Sequence, residues 1–187
     1  MMKQKFAVRD LVLVALFAAL TAIMAYIAVP MPGGLPPITG QTFAVMLAGL
    51  LLGANKGAMS QIIYILLGVV GLPVFAGGMA GLNILVGRTG GFLLGFVLGA
   101  YLIGKLMEKK SNPSLLTLSF AALFGGVLVV YIPGIWQMAR VLGIPLETAA
   151  GFMLPFLPGD FIKVAVASLL AQRILLTLPS KYRPSVN

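Results

Sequence analysis

The sequence contains little charge and no cysteine or histidine. Only 9% of its 187 residues are charged, and four residues are acidic, whereas about 25% of a typical soluble domain is charged. Such a chain has too little polar surface to cover a water-facing globule. Without Cys or His, disulfides, thiolate chemistry, Cys/His metal sites and Ser–His or Cys–His catalytic pairs are all excluded.

The chain contains long apolar segments without any charged residue. No charged residue occurs from Leu11 to Asn55 or from Gly57 to Gly87, and about 20 apolar residues are enough to cross a bilayer core. Lipid cannot satisfy backbone hydrogen bonds, so only helices or a closed barrel span it. These runs lack the apolar–polar alternation of barrel strands. The sequence therefore predicts an all-α membrane protein.

The N-terminal segment has a second interpretation. Lys3, Lys5 and Arg9 precede an apolar run, an order that also occurs in secretory signals. The run covers 11–29, and its 19 residues are more than a usual signal core contains. We therefore predict that it forms the first membrane helix.

We predict six transmembrane helices in a single membrane domain that covers residues 1–187. The predicted helices are 9–29, 41–53, 57–71, 90–107, 114–132 and 160–178. The long connections, rich in Gly and Pro, are 30–40, 72–88 and 133–159. Irregular backbone at membrane depth must be buried in protein or line a cavity. We therefore expect these connections to cover a ligand cavity.

The positions of the basic residues predict the orientation of the helices. Of the 13 basic residues, ten fall on one side of the six-helix arrangement: Lys3, Lys5, Arg9, Lys56, Lys105, Lys109, Lys110, Arg173, Lys181 and Arg183. By the positive-inside rule this side is cytoplasmic, so both termini lie inside and the long connections lie outside. The net charge of +9 thus reflects membrane topology, and we expect no binding of nucleic acid.

Three charged residues near the outer side are candidates for ligand binding. An arginine at membrane depth, such as Arg88, is costly and tends to be functional or paired, although an interfacial Arg can also extend to lipid head groups. Asp160 and Lys163 begin the last predicted helix, and their spacing places them on one face. Asp160 has the alternative role of a helix N-cap. The pair either satisfies itself or binds a polar ligand together.

Uncharged residues add further candidates. Gln41, Gln61 and Asn83 are amides in apolar surroundings, and an amide buried there needs either a ligand or a neighbouring helix as partner. The first helix contains two pairs of small residues with three residues between them, Ala15/Ala19 and Ala18/Ala22. Such pairs allow close helix approach, either inside the bundle or against another protein.

Four ordered motifs carry a resemblance to a known family. The motifs are 37–42 (PITGQT), 71–78 (GLPVFAGG), 89–96 (TGGFLLGF) and 158–163 (PGDFIK). They resemble the BioY family, the biotin-specific S-components of energy-coupling-factor (ECF) transporters, and the resemblance covers nearly the whole chain. It implies a six-helix subunit that captures biotin at the outer face of a prokaryotic cell membrane.

The resemblance also implies partners. An S-component works with a transmembrane T-component and two cytoplasmic ATPases. The residues similar to the surface that docks on the T-component are Ala15, Ala18, Ala19 and Ala22. This chain has no Walker A sequence of its own, since its nearest run, 49–57 (GLLLGANKG), lacks Gly-Lys-Ser/Thr.

The candidate residues form a substrate-binding set that fits this ligand, and the resemblance leaves open which end of biotin meets which charge. Biotin offers a carboxylate, a ureido group with two N–H donors and a carbonyl, and an apolar ring. Arg88 or Lys163 would hold the carboxylate, Asp160 would accept from the ureido N–H groups, and Asn83 would pair with either ureido edge. Gln41 and Thr42, from the first motif, complete the set.

Other functions remain as alternatives at this point. Within transport they are a stand-alone biotin carrier and an S-component for another small vitamin. Other classes are a membrane acyl or prenyl transferase and a structural subunit without a ligand. Four acidic residues and no His leave few acid–base pairs, so we predict that the chain is not an enzyme. We expect no cofactor or metal, with biotin as the transported ligand.

Overall fold

The computed structural model describes residues 7–31, 35–108, 110 and 112–178. Its helices are α1 (Val8–Tyr26), α2 (Gln41–Leu52), α3 (Ala54–Val69), α4 (Leu82–Val86), α5 (Gly90–Met107), α6 (Leu115–Leu123), α7 (Val130–Leu142), α8 (Leu146–Gly151) and α9 (Leu157–Thr177). A short antiparallel pair, β1 (Ala28–Val29) and β2 (Ile38–Thr39), joins α1 to α2. A π-helical turn, Phe124–Val129, makes α6 and α7 one continuous helix. Short 3-10 turns occur at Ala76–Gly78 and Leu154–Phe156.

Several of these helices have the length and composition of membrane spans. Among the described residues, four helical stretches are long and apolar enough to cross a membrane: Val8–Tyr26, Gly90–Met107, Leu115–Leu142 and Leu146–Thr177. Helix α2 is apolar but has only 12 residues. The predicted all-α fold is thus confirmed, with four candidate membrane spans among the described residues, whereas the six-span topology stays a prediction.

The largest difference from the predicted fold lies in the third connection. The fifth helix does not end at 132 but continues through Pro133 to Leu142, and α9 begins at Leu157 rather than at 160. Proline is tolerated inside a membrane helix where neighbouring helices compensate for the lost hydrogen bond. The irregular connection predicted over 133–159 was therefore wrong, because only 143–145 and 152–153 lie outside the helices and the 3-10 turn.

Helix α2 lies at the centre of the bundle. Nine of its 12 residues are buried, and it contributes to both clusters of buried apolar side chains. Met46 and Leu50 belong to one cluster, and Val45 belongs to the other, with Tyr64 and Phe96. The first residues of α2 therefore stand in the middle of one end of the bundle.

The ion pairs and the cavity define the two ends of the bundle. At one end α1 and α3 finish while α2, α5 and α9 begin. The opposite end carries an ion pair between α1 and α3, in which Lys56 Nζ lies 2.6 Å from Asp10 Oδ1. Lys105 and Glu108 form a second ion pair there at 2.8 Å. A cavity with a mixed polar and apolar lining lies at the first of these two ends.

Candidate ligand-binding site

A cavity opens where α2, α5 and α9 begin. It holds about 760 Å³ of unfilled space, its open mouth included. Its large apolar side chains are Phe75, Met79, Phe92, Phe96, Met153 and Phe156. Its polar side chains are Thr39, Gln41, Thr42, Thr89, Tyr131, Asp160 and Lys163. An apolar wall with a few convergent polar groups is typical of a small-molecule site.

The centre of the polar wall is an ion pair in the first turns of α9. Lys163 Nζ donates to Asp160 Oδ1 at 3.0 Å and to Thr42 Oγ1 at 3.0 Å. The Tyr131 hydroxyl donates to Asp160 Oδ2. Asp160 lies one turn inside α9, and its carboxylate bonds to side chains rather than to backbone N–H groups. The N-cap alternative was therefore wrong, and the pairing of Asp160 with Lys163 is confirmed.

This cluster leaves hydrogen-bonding capacity for a ligand. An ammonium group has three N–H donors, and within the described structure two from Lys163 have acceptors. Each carboxylate oxygen of Asp160 accepts one bond and has room for another. The wall thus presents acceptors directly beside donors, in surroundings that are largely apolar.

Gln41 has protein partners for both atoms of its amide. Its Oε1 accepts from the Thr39 hydroxyl at 2.8 Å, and its Nε2 donates to the Tyr64 hydroxyl. Tyr64 in turn donates to the Val74 carbonyl at 3.1 Å. Gln41 therefore links β2 and the segment after α3 at the cavity wall, and contact with a ligand stays a prediction for it and for Thr42.

The structure shows which partner the amide of Gln61 has, a neighbouring helix or a ligand. It is fully buried and exchanges hydrogen bonds with Thr21 of α1, at 3.2 and 3.3 Å. It also donates to the Ser60 hydroxyl at 3.1 Å. Its partner is a neighbouring helix, as one alternative had it.

Asn83 and Arg88 lie outside the cavity lining. Both side chains are exposed, and Thr89, the residue after Arg88, does line the cavity. Gln137 of α7 holds this segment by donating to the carbonyls of Leu85 at 2.9 Å and Gly87 at 2.7 Å. Ligand contact by Asn83 or Arg88 would require these side chains to turn toward the mouth, and it stays a prediction.

The segment between α3 and α4 closes one side of the cavity. Phe75 is 1% exposed, and its ring lies directly over Gly68 of α3. A Cβ atom at Gly68 would lie only 2.1 Å from Phe75 Cζ, so only glycine leaves room for this ring. Tyr64 meets the same ring edge to face at 5.7 Å, and the Tyr26 hydroxyl donates to the Pro73 carbonyl. This segment, residues 70–81, forms a cover over the cavity, and these contacts anchor the cover to α1 and α3.

Sequence reasoning missed Tyr131. This residue lies inside the predicted fifth helix, 114–132, and the only signal was a hydroxyl in an otherwise apolar run. Whether that hydroxyl faced lipid or the cavity depended on the π-helical turn before it, which the sequence pattern did not reveal.

The small residues of α1 divide between two surroundings. Ala15 and Ala19 are exposed on the outside of the bundle. Ala18 is 1% exposed and packs in the core with Val45 and Tyr64, and Ala22 is half-buried beside the same cluster. The Ala15/Ala19 pair is therefore accessible to another protein, whereas Ala18 packs inside the bundle.

Comparisons with known proteins agree with one another. The model of the BioY family matches residues 2–180. A protein named biotin transporter BioY from Rhizobium etli is 42% identical over 91% of this chain and 95% of its own length. Its namesake from Rhodobacter capsulatus is 38% identical over 95% of this chain and 96% of its own length. The Thermotoga maritima protein of that name is 40% identical over 89% of this chain and 95% of its own length.

A solved structure agrees with the fold. It is a crystal structure of the S-component for biotin from an ECF-type ABC transporter. The likeness has a TM-score of 0.88 at 27% sequence identity and covers 98% of this chain and 99% of that one. The helical arrangement described above is thus shared over nearly the full length of both chains.

Proposed function

This chain belongs to the BioY family, and we propose that it is the biotin-binding S-component of an ECF-type transporter. The observation that carries the proposal is the ion pair of the buried Asp160 and the half-buried Lys163 on the wall of a largely apolar cavity. Relatives named biotin transporters, similar along nearly their whole length, support biotin as the ligand.

The chemistry of the cavity wall suits the ureido group of biotin. A cyclic urea places N–H donors on both sides of a carbonyl acceptor. Asp160 supplies acceptors for an N–H group, while the third N–H of Lys163 or the Thr42 hydroxyl supplies a donor for the carbonyl. The apolar ring of biotin then lies among Phe75, Phe92 and the other apolar side chains of the wall.

This placement sets the direction of the rest of the ligand. With the ureido group at Asp160 and Lys163, the valerate chain extends toward the mouth, and the exposed Arg88 directly precedes Thr89, which lines the cavity. The guanidinium of an arginine matches a carboxylate with two parallel hydrogen bonds. We therefore assign the carboxylate to Arg88 and the ureido group to the buried pair.

The proposed setting is a multi-pass protein of a prokaryotic cell membrane. Six spans with both termini inside place the cavity at the outer face, because the ion pairs of Lys56 and Lys105 lie at the opposite end. The T-component docks on the exposed Ala15/Ala19 pair of α1, and two ATPases supply the energy. The chain itself binds and releases biotin unchanged and is not an enzyme.

Native mass spectrometry of the purified chain tests the ligand. Protein from cells grown with biotin should carry one biotin per chain, and added thiamine or riboflavin should not displace it. The mass of another vitamin would identify an S-component for a different ligand. A chain that carries no small molecule and takes up no added biotin would contradict the proposal and favour a structural subunit.

Proteoliposomes test the mode of transport. The chain alone should bind biotin without accumulating it, and uptake should need the T-component, the ATPases and ATP. Biotin uptake by the chain alone, at the rate of the full complex, would make it a stand-alone carrier.

A further inference from the structure

The carboxylate of Asp160 is held from two directions. Tyr131 of α7 donates to Oδ2, and Lys163 of α9 donates to Oδ1 at 3.0 Å. Asp160 is 3% exposed, so bulk water has little access to its carboxylate. The plane of an aspartate carboxylate turns easily about its terminal torsion. With one donor alone the carboxylate could still rotate about this torsion, whereas two donors on different oxygens fix its plane.

The direction of Tyr131 depends on the π-helical turn at Phe124–Val129. A π turn holds one residue more than an α turn. Compared with an unbroken α-helix of the same sequence, it therefore turns the following residues by about 100°. Gly125 allows the close packing of this turn, since a Cβ atom there would lie 2.3 Å from Ile103 Cγ1 of α5. Single π turns in α-helices are frequent at functional sites.

The ring of Tyr131 has packing of its own. It meets Phe92 of α5 edge to face, with ring centres 6.3 Å apart and planes at 86°. The preceding residue, Val130, is fully buried. Ring position and hydroxyl contact can therefore be separated: Tyr131→Phe keeps the first and removes only the second.

We propose that Tyr131 is a positioning residue that sets ligand selectivity through Asp160. By occupying Oδ2 it holds the carboxylate in the plane that directs its remaining acceptor sites toward the N–H groups of a cyclic urea. This inference rests on the proposed function, because it takes biotin as the ligand whose N–H groups meet Asp160. Tyr131 itself needs no contact with the ligand.

Titration of biotin into the purified full chain in detergent tests the assignment. Tyr131→Phe should bind biotin about tenfold more weakly, or about 1.4 kcal/mol. In an Asp160→Asn background the same substitution should change the affinity by less than about twofold, since the carboxylate that it orients is gone. Tyr101→Phe, on the exposed face of α5, is the matched control and should bind as the wild type does.

Two analogues provide a second arm that needs no double variant. Dethiobiotin keeps both ureido N–H groups and should show the full penalty of Tyr131→Phe. Biotin methylated on a ureido nitrogen lacks one N–H, so the ratio between wild type and Tyr131→Phe should shrink for it. This arm decides the question if Asp160→Asn binds too weakly to titrate.

The possible failures are distinguishable. Equal biotin affinity in Tyr131→Phe and wild type, or an equal penalty with every analogue, would reduce Tyr131 to a packing residue and leave the proposed function intact. A wild-type chain that binds no biotin would contradict the proposed function itself.

Discussion

The two charged side chains on the cavity wall, Lys163 and Asp160, are largely withdrawn from water. The side chains of Lys163 and Asp160 are 16% and 4% exposed, whereas those of Lys105 and Glu108, with the same three-residue spacing, are 59% and 28% exposed. An exposed pair contributes little to stability. Removal of one partner from a desolvated pair typically costs about 2–5 kcal/mol, much of it from the charge left unpaired. The two pairs should therefore respond very differently to the same substitution.

Biotin methyl ester tests the orientation of the ligand at this scale. The ester should bind the wild-type chain at least about tenfold more weakly than biotin, a loss of about 1.4 kcal/mol. This penalty should shrink in Arg88→Gln, because that variant has already lost the carboxylate contact. It should persist in Lys163→Met and in the control Arg140→Gln, which changes an exposed arginine stacked on Trp136. A penalty that shrank in Lys163→Met instead would reverse the orientation.

At the scale of the elements, one contact of the cover over the cavity is the close approach of the Phe75 ring to Gly68. Gly68→Ala places a methyl group within 2.1 Å of the Phe75 ring, and overpacking of this kind typically costs about 1–3 kcal/mol. We expect a lower melting temperature and weaker biotin binding, measured by thermal unfolding and titration in detergent. Gly151→Ala is the control, since no atom lies within 4 Å of its added Cβ.

A second substitution separates displacement of the cover from general damage. Phe75→Leu in the Gly68→Ala background replaces the ring that clashes with the added methyl group by a shorter side chain. It should restore the melting temperature in part. If Gly68→Ala bound biotin with wild-type affinity, the segment between α3 and α4 would not be a wall of the binding site.

Docking of the T-component on α1 is a second property of a single element. Ala15→Trp or Ala19→Trp adds bulk to an exposed face of the helix, so recovery of the complex with the T-component and biotin uptake should fall while biotin binding persists. Leu98→Trp, on the exposed face of α5, is the control and should assemble normally. Equal loss of binding and of assembly would mean that this face packs inside the folded chain.

The helices also show why the sequence predicted some helix bounds correctly and missed others. Helices α2 and α5 were found almost to the residue, because irregular Gly- and Pro-rich segments precede their apolar runs. The spacing of Asp160 and Lys163 was enough to place them on one face. Pro133 was taken as a helix end, since a proline that packed neighbours tolerate looks the same in sequence as one that ends a helix.

The contribution of Tyr131 could not be read from the sequence for a different reason. Its direction depends on a π turn that packs closely against α5 at Gly125, and the apolar run around that turn carries no signal of it. The exposure of Arg88 and Asn83 is likewise a property of the three-dimensional arrangement. Sequence reasoning therefore located the charged pair and the surrounding motifs, but not the residue that orients the pair.

At the scale of the whole molecule, the orientation in the membrane can be tested with single cysteines, because the chain has none of its own. Cysteines at Met79 and Thr148 should react with an impermeant reagent from outside. A cysteine at Asn55 should react only after the membrane is opened. All three positions are exposed, so a lack of reaction reports sidedness rather than burial. External labelling at Asn55 would contradict the six-helix topology with both termini inside.

The central claim, that biotin binds at the buried charged pair, is tested most directly by isothermal titration of the purified chain and three variants. Asp160→Asn keeps the size and a carbonyl acceptor, and Lys163→Met keeps most of the stem, so both should still fold and insert. We predict that each binds biotin at least about tenfold more weakly than wild type, or about 1.4 kcal/mol. Lys105→Met, from the exposed ion pair at the other end, should bind as the wild type does. Wild-type affinity in both site variants, with normal expression, would contradict the account and leave Asp160 and Lys163 as a structural ion pair.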